Sequence, residues 1–113
     1  MANEDAIVRI GNVGTIVEVT MQELVGSTLG ALNLSTTNSQ QVEFKRPDGS
    51  QHIVTGAVKN SPGSDGIIRY TDTAGAVFNH NDAIKGAWEA RGVVGYSNGN
   101  TFKGSWSGFL VGE

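Results

Sequence analysis

The chain has 113 residues, eight Lys or Arg against eleven Asp or Glu for a formal net charge of -3, and no cysteine. A chain of this length makes one domain, residues 1–113, burying about two-thirds of the surface its unfolded form exposes; neither a disulfide framework nor a thiolate metal site is available to it. The basic residues are scattered except for Lys45-Arg46, so there is no footprint for a phosphate backbone and no nucleic-acid partner is expected.

The N-terminus, Met1-Ala2-Asn3-Glu4-Asp5, is acidic and lacks the basic and apolar regions of a signal peptide. No apolar run approaches the roughly 20 residues that span a bilayer, so no membrane partner is expected and synthesis is placed in the cytoplasm. Sixteen glycines with only two prolines suit turns and strands better than helices, because Gly costs about 1 kcal/mol relative to Ala in a helix interior.

In chain order, residues 6–10 predict a short edge strand, ended by Gly11-Asn12-Val13-Gly14. Residues 15–21 carry the period-2 pattern of a half-buried strand, with Val17, Val19 and Met21 on one face and Glu18 and Thr20 on the other. The Leu spacing of residues 22–39 is compatible with a helix. Gly26, Gly30 and the Ser-Thr-Thr-Asn-Ser run favour instead a looped crossing, with Leu32 and Leu34 dipping into the core.

Residues 41–46 predict a strand that buries Val42 and Phe44 and exposes Glu43 and Lys45. Pro47-Asp48-Gly49 turns it back, and residues 52–58 return antiparallel. After the 60–66 loop, residues 67–71 form a strand with Ile68 and Tyr70 inward. A polar connection with a short helical turn is expected over 72–85. Residues 87–96 carry the best central strand, with Trp88, Ala90, Gly92 and Val94 on one face. Asn98-Gly99 predicts a type I′ hairpin into a last strand over 101–111.

These elements predict an all-β, antiparallel sandwich of about seven strands, with turn signals at about the 8 to 12-residue spacing that such folds show. The chain starts at Met1 and ends just after its last strand, and is expected to be complete in itself.

Two stretches go further, Phe44-Lys45-Arg46-Pro47-Asp48-Gly49 and Gly86-Ala87-Trp88-Glu89-Ala90-Arg91-Gly92-Val93-Val94. With Gly14-Thr15-Ile16-Val17-Glu18-Val19-Thr20, Asn33-Leu34-Ser35 and Gly66-Ile67-Ile68-Arg69-Tyr70-Thr71, they are spread in order from residue 14 to residue 94, over most of the chain's length. The chain resembles the Ig-like N-terminal domain of phage baseplate upper proteins and related tail-fibre attachment domains. The resemblance implies an Ig-like fold and a non-enzymatic connector of a bacteriophage virion, in tail, baseplate or tail fibre. It would work as an oligomer through contacts with other virion proteins and copies of itself. The chain is expected to depart from that family in lacking the helical, trimeric part that follows the domain there.

Catalytic and metal-binding constellations are sought and not found. With only His52 and His80, a His-rich metal site is excluded and a Ser-His-Asp triad has little support. His52 is expected on a surface or turn and His80 in a polar loop. Asp48-Gly49 and Asp65-Gly66 lack the alternating oxygen ligands of a calcium loop. No enzyme activity, catalytic residue, metal or cofactor is expected.

Tyr96, Phe102 and Trp106 are the candidate interface residues, flanking one hairpin with Phe109. Alternation puts Trp106 and Phe109 on opposite faces, so one of the two belongs to the core. Aromatic anchors of this kind favour a protein contact; the alternatives are a carbohydrate-binding module that engages a host glycan, and a capsid decoration protein.

Overall fold

The structure, a computed structural model, describes residues 7–11, 14–73, 77–78 and 85–112. Its strands are β1 (Ile7–Arg9), β2 (Thr15–Thr20), β3 (Gln22–Val25), β4 (Thr28–Ala31), β5 (Ser39–Lys45), β6 (Gln51–Thr55), β7 (Ala57–Val58), β8 (Ile67–Asp72), β9 (Gly86–Gly95), β10 (Thr101–Lys103) and β11 (Ser107–Gly112). Apart from one 3-10 turn at Leu34–Thr36, the described residues form no helix. The protein is all-β.

The larger sheet has the order β1-β11-β9-β5-β6, with β10 also beside β9; the smaller is β2-β8-β7, and β3-β4 is a separate hairpin. All pairs are antiparallel except β1 with β11. The two sheets pack face to face because each strand offers one apolar side. Val42 and Phe44 of β5 and Trp88, Ala90 and Val94 of β9 meet Val19 of β2 and Ile68 of β8 in one buried cluster.

The centre of that cluster is aromatic. Phe44 makes edge contacts with Phe78 at 5.6 Å, Trp88 at 6.2 Å and Phe109 at 6.2 Å between ring centroids, within the separations that favour aromatic pairs. Phe109 therefore belongs to the core side. The expected burial of Trp88 and the dips of Leu32 and Leu34 into the core are both present. The space over Gly92 is taken by Met21, which would collide with any Cβ placed there.

Several expectations need correction. The seven strands become eleven segments among the described residues, for three physical reasons. The return over 52–58 breaks at Gly56, where β6 ends in the larger sheet and β7 joins the smaller. The last strand breaks at residues 104–106 into β10 and β11. The crossing over 22–39 contains the hairpin β3-β4, closed by Gly26 at φ 67°, the left-handed first position that a two-residue type II′ turn requires.

Residues 72–85 are not merely polar, since Val77 and Phe78 are fully buried. Buried Asp72 holds them, accepting the Val77 N–H at 3.1 Å, the Phe78 N–H at 3.1 Å and the Tyr70 hydroxyl at 2.7 Å. Glu43, expected outside, is only 8% exposed; Arg91, directly opposite on β9, donates to it at 2.8 Å.

The turn at Asn98-Gly99 is not type I′, which would need positive φ at both residues. Among the described residues only glycines have positive φ; Gly99 stands at 91° and Gly49 at 89°. Gly99 N–H donates to Tyr96 O, and Tyr96 N–H to Asn100 O, both at 2.9 Å. Gly49 N–H donates to Arg46 O and Arg46 N–H to Ser50 O with the same lengths. Both are type I turns followed by a left-handed glycine bulge.

Candidate functional site

Tyr96, Phe102 and Trp106 follow one another through the β9-β10 hairpin and the break after it, yet the structure separates them. Side chains alternate across β9, so Trp88, Ala90 and Val94 face the core while Glu89 and Arg91 face outward. Trp106 lies over that outward face. Its ring centroid is 4.2 Å from the Arg91 guanidinium carbon and 4.7 Å from Lys45 Nζ, close enough for cation-π attraction. Arg91 is at the same time bonded to Glu43, and Lys45 pairs with Glu89 at 3.2 Å. Trp106 is thus half-buried, the roof of an ion-pair network.

Tyr96 and Phe102 do come together. Phe102 pairs in register with Val94, so it shares the core-facing side of the sheet, but it is 38% exposed. With Tyr96, Glu23, Asn98, Asn100 and Thr101 it lines an open cleft of about 410 Å³, into which buried Leu32 also reaches. On its other side Phe102 meets a smaller cleft shared with Leu29.

Leu29 leads to the surface that sequence reasoning missed. Leu24 and Leu29 are directly opposed across β3-β4 and are 69% and 59% exposed. Among the described residues the hairpin pairs with no other strand. The signal was in the sequence, because Gly26-Ser27 is a two-residue hairpin loop and a Leu lies two positions from it on either side. Exposed Ile16 and Ile53 lie on β2 and β6, each an edge strand, of the smaller and the larger sheet respectively.

The outward face of the smaller sheet is charged. Glu18 accepts from Arg69 at 2.8 Å and from Lys59 at 3.2 Å, and the Arg69 hydrogen bond, helped by Lys59, holds its carboxyl below the usual glutamate range. Burial, then the hydrogen bond to Asp72, pushes the Tyr70 phenol up. Tyr70 and Asp72 lie within the fold, where they anchor residues 77–78. Among the described residues no three His, Cys, Asp or Glu side chains are placed to hold a metal ion. His52 is exposed on β6; His80 lies outside the described residues. No helix among the described residues is long and apolar enough to cross a membrane.

No protein-family model matches the chain, and neither a curated protein nor a solved structure is significantly similar to it.

Proposed function

We propose that this chain is a non-enzymatic structural or adaptor protein of a tailed-phage virion, assembled in the bacterial cytoplasm and acting through contacts with other virion proteins and with copies of itself. The β3-β4 hairpin carries this proposal. Two opposed leucines left 69% and 59% exposed form an apolar patch of the kind that a protein partner covers. Phe102 beside Leu29 extends the apolar surface toward the β9-β10 hairpin. The open edges at β2 and β6 provide backbone donors and acceptors for strand addition by a neighbouring subunit.

An Ig-like sandwich is the fold that best accounts for the strand order. The run β11-β9-β5-β6 facing β2-β8-β7 follows the G-F-C-C′ and B-E-D arrangement of immunoglobulin-type sheets, with β3-β4 inserted between β2 and β5, the B and C positions. The phage assignment is supported by the strand motifs around Pro47-Asp48-Gly49 and Gly86-Ala87-Trp88. Mass spectrometry of purified particles from the phage that encodes the chain tests it. The protein should be present at an integral multiple per particle; its absence from particles, with abundant free protein in the lysate, would rule the proposal out.

A further inference from the structure

We propose that the cleft between the β9-β10 hairpin and β3 binds a neutral saccharide. This site adjoins the proposed contact surface and shares Phe102 with it, but neither Leu24 nor Leu29 lines it. Its volume of about 410 Å³ falls in the range of small-ligand sites, roughly 300 to 1,000 Å³. Its chemistry is that of a sugar ring. Such a ring has an apolar C–H face and a rim of hydroxyls that both donate and accept, and the cleft supplies a counterpart for each.

Phe102, exposed beside half-buried Tyr96, offers aromatic surface for the C–H face. Around it stand the Glu23 carboxylate, the amides of Asn98 and Asn100, and the hydroxyls of Thr101 and Tyr96. Asn98 Oδ1 accepts the Asn100 backbone N–H at 3.0 Å, which orients the amide and leaves its Nδ2 to donate. The other side-chain polar groups of this set make no hydrogen bond to another described residue, so they are open to a ligand. The turn geometry at Gly99 holds Asn98 and Asn100 in place. Among the described residues no Lys or Arg lines the cleft, and the Glu23 carboxylate repels anions; a neutral sugar is selected over an acidic one.

The test is a titration of the ¹⁵N-labelled full chain, followed by amide shifts, with chitotriose, maltotriose and lactose as neutral probes and trigalacturonate as the acidic one. At least one neutral probe should produce saturable shifts at Glu23 and residues 96–102 below about 10 mM, as a millimolar dissociation constant requires. Asn100→Ala, at an exposed turn position, should keep the spectrum of a folded protein and weaken that binding about fivefold to tenfold, and Phe102→Ala should do the same. Absence of shifts with all three neutral probes would overturn the proposal. So would shifts that persist unchanged in both variants, or stronger binding of trigalacturonate.

Discussion

Trp88 and Trp106 lie on opposite faces of the larger sheet and show what each face is for. Trp88 is fully buried, with Phe78 at 5.3 Å and Phe109 at 6.1 Å from its ring and the Arg46 guanidinium carbon over it at 5.5 Å, so its main contribution is burial and close packing. Trp106 has no ring neighbour among the described residues. Two cations hold it instead, and through Arg91 it shelters Glu43. A tryptophan in the first setting is a determinant of folding, and in the second it is a surface residue whose loss leaves the two-sheet core intact.

The comparison breaks most easily at its inner member. Trp88→Ala should cost about 3–5 kcal/mol in urea denaturation, a large fraction of a small domain's stability; a loss below about 1 kcal/mol would mean that the aromatic cluster does not hold the core. Trp106→Ser should leave the strand content unchanged by circular dichroism and cost about 1–2 kcal/mol, because it removes two cation-π contacts and uncovers a salt bridge that water then solvates. If both variants lost equal stability, the distinction between the faces would be lost.

Two smaller effects sharpen the contrast between core and surface. Gly99→Val should lower stability by about 1–2 kcal/mol, because a β-branched side chain is forced into the left-handed region. Ser97→Ala in the same turn should be nearly silent, and equal melting temperatures for the two variants would contradict the glycine bulge. The smallest effect is acid sensitivity from Glu18. Its carboxyl titrates below the ordinary value of 4.5 in the folded protein, so the stabilisation is complete above that value and lost as pH falls through the lowered one. Exposed pairs of this kind contribute less than about 1 kcal/mol. Glu18→Gln should accordingly flatten the denaturation midpoint slightly between about pH 5 and pH 3, and an unchanged profile would place the acid sensitivity elsewhere.

The inner face was legible because its signal is local. Trp88, Ala90 and Val94 alternate on one strand, Val42 and Phe44 on another, and period 2 alone assigns them. The outer face needed register. Glu43 and Arg91 are 48 positions apart, and only the alignment of β5 with β9 makes them partners. Val77 and Phe78 escaped notice because two adjacent apolar residues in a polar stretch have no period; their anchor, Asp72, is a tertiary contact. Asn98-Gly99 suits both a type I′ turn and a glycine bulge, and the negative φ of Asn98 decides between them only in three dimensions.

The candidate surface followed the same division. Hairpin connectivity brought Tyr96 and Phe102 to one cleft, whereas the break at residues 104–106 carried Trp106 to the other face. The β3-β4 hairpin was hidden because its leucines face outward, contrary to the rule by which apolar alternation reports a buried side. That contrary placement is what the proposed contact role rests on.

Incorporation of a Leu24→Ser, Leu29→Ser double variant into phage particles, measured beside its thermal melting, tests the protein-contact role most directly. The variant should melt at or above the wild-type temperature, since neither leucine is buried in the free chain, and its copy number in purified particles should fall at least about tenfold, as loss of an apolar interface anchor predicts. Wild-type copy number from a normally folded double variant would contradict a contact role for this hairpin.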